Sequence, residues 1–357
     1  MTAAPFWRGR RVLLTGHTGF KGGWLALWLH RLGAEVHGLA LEPPSQPNLF
    51  EVARIAETLA TSRVVDVRDA PALAGAVRDA RPEIVFHLAA QSLVRTSYAA
   101  PAATYAVNLL GTVNLFEALR GASSVRAVVN VTSDKCYANR GSTTGFREDD
   151  PLGGSDPYSS SKACAELATE AYRRSFFADA GVWLASARAG NVIGGGDWAV
   201  DRLVPDFLRA ADAGRTLLVR APDAVRPWQH VLEPLSGYLL LAERLISDGT
   251  AHAEGWNFGP ADADAWPVRR VVDALVAATP GAQWQVDTAV QPPEAGRLAL
   301  DIEKARTRLN WQPRWRLDRA LKATLQWHTA WRGGKDMREA TLAQIESFEA
   351  SAHRAGA

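Results

Sequence analysis

Arg11-Val12-Leu13-Leu14-Thr15 runs straight into Gly16-His17-Thr18-Gly19-Phe20-Lys21-Gly22, and from there into a stretch with helical periodicity. The first five residues read as a buried strand. Trp24, Trp28 and Leu32 recur along one side of the periodic stretch, which predicts a helix over 20–32 that Gly33 stops. Glycines spaced GxxGxxG let the backbone turn sharply and approach a pyrophosphate. The helix N-terminus favours that anion through its unpaired N–H groups and its dipole. A glycine triplet by itself means no more than a glycine-rich turn. At the first strand-to-helix junction of an alternating chain it predicts a dinucleotide site. Gly16, Thr18, Gly19, Phe20, Lys21 and Gly22 are the candidates to hold it.

Outward from this junction the alternation continues. A second strand is expected over 35–41, and apolar runs occur at 63–67, 83–88, 125–132 and 182–187. Strands alternating with helices imply right-handed crossovers and a parallel sheet covered on both faces, the doubly wound α/β class. The rhythm weakens after about residue 191. A loop at 194–197, helical stretches at 202–214 and 267–278, a strand-then-helix pattern at 228–246 and a strand at 254–258 make up the remainder. The expected organisation is a nucleotide-binding domain over 1–190, rejoined by a return of 227–258. A smaller C-terminal substrate-binding lobe takes 191–226 and 259–335. The tail, 336–357, reads as a charged surface helix with a frayed end.

With 357 residues the chain is long enough for two lobes. Its net charge of +2 is too near balance for a nucleic-acid or membrane-surface binder, so an acidic ligand must be held by a few placed arginines. Cys136 and Cys164 have no partner at CxxC spacing and read as reduced thiols. Without a signal-peptide core or an apolar span, the expected compartment is the cytoplasm.

The second strand puts Ala40 where an aspartate commonly holds the adenosine ribose, with Glu42 as a later candidate. No arginine stands nearby for a 2′-phosphate, which favours NAD over NADP. Asp66 and Val67 are candidates for the adenine, with a simple loop cap before Asp69 an equal reading of Asp66.

The run Val129–Tyr137 is an apolar strand that breaks into Ser133-Asp134-Lys135 at its C-terminal end, the edge where ligands of parallel sheets collect. Tyr158-Ser159-Ser160-Ser161-Lys162 then opens a helix. YxxxK sets phenol and ammonium one turn apart on one face, so that the cation lowers the phenol pKa and the phenolate takes a hydroxyl proton as hydride leaves the carbon. Alone the pair would usually be a surface tyrosine and lysine. Here it comes after the glycine loop, His87-Leu88-Ala89-Ala90-Gln91 and Asn108-Leu109-Leu110-Gly111-Thr112 in order.

That ordered set, with Arg188-Ala189-Gly190-Asn191-Val192-Ile193-Gly194-Gly195-Gly196-Asp197-Trp198, resembles the extended short-chain dehydrogenase/reductase family over nearly the whole chain. Thr132–Tyr137, 194–198 and 226–231 narrow the resemblance to its nucleotide-sugar 4,6-dehydratase branch, on the CDP-glucose side. It implies a Rossmann-type fold, NAD as cofactor, CDP-glucose as substrate, no metal, and a homodimer or tetramer. It implies cofactor contacts from Leu88, Ala89, Ala90, Asn108, Tyr158 and Lys162 as well as the glycine loop. Tyr158 and Ser133 would handle the 4-hydroxyl, and Asp134, with a pKa raised by burial, would protonate the departing 6-hydroxyl. Lys135 stands where dTDP-glucose dehydratases have a glutamate base. It must either be neutral to accept the carbon 5 proton, or it only pairs with Asp134 or orients a water in a more concerted elimination. Gln91, Asn191, Arg202 and Arg226 are the substrate-binding candidates, the arginines because guanidinium binds phosphate bidentately. Ordinary surface arginines are an equal reading of these two, while His230 reads as structural. A 4-epimerase of the same fold needs no acid for a leaving hydroxyl, and Asp134-Lys135 argue against it. The intact YxxxK argues against a non-catalytic NAD sensor.

Overall fold

Val12, Leu13 and Leu14 are completely buried, as a strand covered on both faces requires. They belong to β1 (Arg11–Thr15), an inner strand of a seven-stranded sheet in a computed structural model that describes residues 4–139, 141, 144–289 and 296–351. The other strands are β2 (Glu35–Ala40), β3 (Thr61–Val64), β4 (Ile84–His87), β5 (Ala127–Val131), β6 (Trp183–Ala189) and β7 (Gly255–Phe258). Their order is β7-β6-β5-β4-β1-β2-β3, and every pairing is parallel. The chain leaves β1 towards β2 and β3, then returns to β4 on the other side. That reversal opens a crevice at the C-terminal ends of β1 and β4.

The helix after the glycine loop, α1 (Phe20–Arg31), buries Trp24, Leu25, Leu27 and Trp28 in the main core. The catalytic-motif helix α2 (Pro157–Tyr172) covers the sheet near β5 and β6, and α3 (Leu232–Asp248) packs against those strands and against β7. The third strand ends at Val64, short of the expected 67. It is the exposed edge of the sheet, and beyond it Asp66 ends the extended run by accepting the amide of Arg68.

A second apolar cluster gathers Val204 and Phe207 of the helix Leu203–Asp212, Leu217 and Val219, Trp228, Trp266, and Val271, Val272 and Leu275 of the helix Val268–Ala277. The helix α4 (Leu317–Arg332) joins the two cores: Leu317, Ala320 and Leu321 lie in the second cluster, Ala323 and Trp327 in the first.

The tail differs from expectation. Its helix α5 (Met337–Ser351) packs onto α1 and α4, burying Met337, Thr341, Ile345 and Phe348. The Phe348 ring meets Trp28 edge to face at 5.7 Å, and Trp28 donates its indole N–H to Glu349 at 2.8 Å. Spacings of four, four and three put these residues on one face, a stripe that the surrounding charges hide in the sequence. Residues 352–357, where fraying was expected, lie outside the described part.

Candidate active site

The crevice between the sheet edge and the second cluster holds a cavity of about 780 Å³, lined by the glycine loop, the ends of β4, β5 and β6, and the segments 196–208 and 217–228. Two glycines of the loop are sterically compelled. Gly16 has φ +79°, and a Cβ there would stand 2.8 Å from the amide nitrogen of Ala89; a Cβ on Gly22 would stand 2.1 Å from the Gly16 carbonyl oxygen. The N-cap of α1 is Gly19, with no side chain to satisfy the first amides, and Gly19 through Gly22 all face the cavity. That cradle suits the pyrophosphate of a dinucleotide.

Thr18 fastens the loop to Leu41 through a hydrogen bond to its carbonyl at 2.8 Å. His17, which the sequence reading did not single out, lies flat against Gly38, where a Cβ would come within 2.6 Å of its ring, and its Nε2 pairs with the Ser62 hydroxyl at 2.8 Å. Burial lowers its pKa to about 4, against a smaller opposing hydrogen bond with Leu39. The imidazole is a neutral anchor for the loop.

Leu88 and Ala89 both donate their amides to the Thr15 hydroxyl at 3.1 Å, which shapes the turn after β4. Leu88, Ala89, Ala90, Gln91, Asp66 and Val67 line the cavity. Asn108 is not among the lining residues. Its amide clamps Gln91 N and O at 2.9 Å each and also donates to Ser161 on α2, so it holds the 88–91 turn against the catalytic helix. Asp66 forms a close ion pair with Arg68, whose guanidinium holds the carboxyl below its ordinary range.

On α2, Asp156 caps the N-terminus by accepting the Ser159 amide at 2.9 Å, and Pro157 opens the first turn. Tyr158 and Lys162 are then 7% and 6% exposed. Burial pushes the phenol up to about 12, while the Ser133 hydrogen bond and Arg202 act to lower it and Asp134 to raise it. The expected lowering by Lys162 is not what governs this phenol. Lys162 points its ammonium at the Val131 carbonyl, 3.3 Å away, and burial lowers its own pKa to about 8, with Glu166 opposing.

Beyond β5 the chain turns at Ser133, whose hydroxyl accepts the Lys135 amide at 3.2 Å and donates to Asp134 Oδ1 at 3.0 Å. Asp134 is 2% exposed, and its Oδ2 has no partner. Burial raises its pKa, although Lys135, Ser133, Arg226 and Lys21 all pull the other way. Lys21 is itself buried and lowered to about 7, first by desolvation and then by Arg202 and Lys162; its ammonium is 3.5 Å from the Tyr238 hydroxyl. Tyr158, Ser133, Asp134, Lys135, Lys162 and Lys21 thus all line the cavity.

Asn191, Arg202 and Arg226 line the same cavity, with Arg202 near enough to act on Tyr158 and Lys21 and Arg226 on Asp134. Arg202 reaches Asp197 and Ser92, both at 2.9 Å, so two neutral or acidic partners hold it over the cavity. Arg226 is buried and donates to the Val225 carbonyl at 3.0 Å. Gln91 is folded back on Leu93 and Thr104. His230 is wholly buried between Trp24 and Trp315, at ring distances of 5.7 and 4.9 Å, away from the cavity lining. Asp197 and Tyr238 also escaped the sequence reading. Asp197 had a visible cue, an acid set in a glycine loop five residues before Arg202.

Against known proteins, the family model described as GDP-mannose 4,6 dehydratase matches residues 13–324. A CDP-glucose 4,6-dehydratase of Salmonella typhimurium is 50% identical over 355 residues, which cover 98% of this chain and 99% of the relative. Among solved structures, the epimerase Mth375 of Methanothermobacter thermautotrophicus superposes with a TM-score of 0.79 at 23% identity, covering 95% of this chain and 97% of the other. A dTDP-glucose 4,6-dehydratase of Bacillus anthracis, in complex with NAD, gives 0.74 at 23% identity, with 90% and 97% covered. At that identity both structures speak to the fold alone.

Proposed function

The chain belongs to the GDP-mannose 4,6 dehydratase family, and on that premise we propose that it is a hydro-lyase converting CDP-glucose to CDP-4-keto-6-deoxyglucose with NAD. The observation that carries the reading is Asp134. A carboxyl that is buried, raised in pKa and left with one unpartnered oxygen beside Ser133 is suited to give up a proton, and dehydration needs such a donor where epimerisation does not. The relative of 50% identity supports the nucleotide.

The glycine loop, Asp66, Val67, the 88–90 turn, Tyr158 and Lys162 would hold NAD. Held there, NAD would supply the hydride acceptor for carbon 4 and the hydride donor for carbon 6. Tyr158 must first be ionised, against the burial that raises its phenol, and as phenolate takes the proton of the 4-hydroxyl, with Ser133 sharing that hydrogen bond. The ketone so formed acidifies the hydrogen on carbon 5. Lys135, which lines the cavity beside Asp134, takes this proton only in its neutral form and otherwise pairs with Asp134, while Asp134 protonates the departing 6-hydroxyl; the hydride added at carbon 6 is matched by a proton returned to carbon 5. Lys162 keeps a positive charge beneath the tyrosine. Arg202 and Arg226 bind the diphosphate, and Asn191 and Gln91 close the sugar pocket.

We assign residues 1–190 with 227–258 to the NAD-binding domain, 191–226 with 259–335 to the substrate lobe, and 336–357 to a C-terminal segment whose helix α5 is docked on α1 and α4. The family points to a dimer or tetramer working in the cytoplasm. Incubation with CDP-glucose and NAD tests the reading through the 4-keto-6-deoxy chromophore in alkali. CDP-galactose as product would make the protein an epimerase. No keto product from CDP-, dTDP- or GDP-sugars would end the dehydratase assignment.

A further inference from the structure

Behind the catalytic helix, away from the cavity lining, lies an ion pair that the proposed chemistry does not use. Glu166 stands one turn after Lys162 and is 3% exposed; Arg188 on β6 is 5% exposed; their charged atoms meet at 2.8 Å. Buried pairs of this kind contribute little net stability, because desolvation of both ions offsets their attraction. Its connections are more telling than its energy. The Glu166 carboxylate accepts from the Thr132 hydroxyl through Oε1, and from Ser186 at 2.7 Å and Arg188 at 2.8 Å through Oε2. Arg188 also donates to the Tyr137 hydroxyl at 2.7 Å and to the Glu148 carbonyl at 3.0 Å. Tyr137 in turn donates its hydroxyl hydrogen bond to Asn257 Oδ1 on β7 at 2.7 Å.

Thr132 and Tyr137 are the residues that bracket Ser133, Asp134, Lys135 and Cys136. The segment bearing the proton-transfer groups is therefore fastened at both ends to one ion pair. Half of that pair sits on the helix that carries Tyr158 and Lys162.

We propose that Glu166 and Arg188 are positioning residues that hold Ser133, Asp134 and Lys135 in register with Tyr158 and Lys162. Neither touches substrate or cofactor. The inference rests on the dehydratase reading for its kinetic tests but not for its structural one. The groups facing Lys162 are Glu166 on its own helix, Cys136 after β5, Lys21 on α1 and His87 on β4. Glu166 supplies the negative charge that supports the ammonium.

The experiment compares the full-length protein with Glu166→Gln, Thr132→Val and Tyr137→Phe. The latter two remove one hydroxyl each and keep the volume and both charges. Hydrogen exchange of the 132–137 amides reads the clamp without turnover, and it is expected to quicken in all three variants. In kinetics, Glu166→Gln is expected to lose about 10²-fold in kcat with KM within about twofold, as misplacement of groups by an ångström does. Its alkaline limb of kcat moves to lower pH, because Lys162 loses the neighbouring charge. Thr132→Val and Tyr137→Phe lose kcat with that limb unmoved. Folded Glu166→Gln with wild-type exchange at 132–137 overturns the proposal. So does activity that, per folded molecule, equals wild type with an unmoved pH limb. If the wild-type protein dehydrates no nucleotide sugar, the function assignment falls, while the exchange comparison still decides the clamp.

Discussion

The unpartnered Oδ2 of Asp134 lies against the backbone of Gly190, where an added Cβ would stand 2.7 Å from it and 2.4 Å from Cγ of Pro227. Gly190, directly after β6, therefore makes the space for the carboxyl proposed as the general acid. Gly190→Ala would push Asp134 out of place or force Pro227 aside. The expected result is a destabilisation of about 1–3 kcal/mol from overpacking, and a fall in dehydration larger than the fall in NAD binding. Denaturant titration and kcat together check it; wild-type turnover in Gly190→Ala would sink the steric account.

Asp134→Asn keeps the shape but gives no proton. Dehydration should fall by about 10²–10⁴-fold, the range for a lost general acid. Stability should move the other way. The folded pKa lies above the unfolded 3.8, so the folded state binds the proton more tightly, and stability is lost as pH rises from about 3.8 through the raised value. Asparagine carries no such penalty. Melting temperatures are therefore expected to favour the variant at pH 7 and to converge with wild type near pH 4. A variant less stable at pH 7 than at pH 4, relative to wild type, would contradict this.

Glu233 offers a second, non-catalytic case. It is wholly buried at the start of α3 and accepts the amides of Arg314 and Trp315 at 2.6–3.1 Å. Burial raises its pKa to about 7 against those hydrogen bonds. A raised acid stabilises fully below its unfolded value of 4.5, and the contribution is lost as pH climbs through about 7. The melting temperature of Glu233→Gln relative to wild type should improve steadily over that window. A flat difference across pH would refute the shift.

Lys162, lowered to about 8, must stay protonated beneath Tyr158. kcat is expected to fall above pH about 8, and Lys162→Met to lose at least about 10²-fold at every pH. A profile flat to pH 10 in wild type would detach Lys162 from the alkaline limb.

Phe348→Ala should cost about 3–5 kcal/mol, the usual range for an emptied aromatic site in a core, since the ring is fully buried against Trp28 and Trp315. Chemical denaturation measures it. A cost below about 1 kcal/mol would mean that α5 is only loosely attached.

How far the residues could be read depends on how local each cause is. The glycine loop, the strand alternation and the YxxxK helix declare themselves because each is fixed by neighbours a few positions apart. So do Ser133 and Asp134, polar residues ending an apolar strand. What stayed hidden has remote causes. Asn108 sits in a motif next to the cofactor turn, yet its amide is directed at Gln91 and Ser161, a choice made by how 106–110 packs on α2. The phenol of Tyr158 is governed by burial more than by the lysine one turn away, and burial depends on the whole lobe arrangement. Glu166 and Arg188 are 22 positions apart and meet only once β6 lies beside α2. For α5 the apolar stripe was present, but its partner Trp28 is some three hundred residues upstream.

The helix α4 begins in one core with Leu317 and ends in the other with Trp327. A rigid rod of 16 residues rooted at both ends is a strut. The two halves of the molecule cannot swing apart like a jaw without uprooting one end.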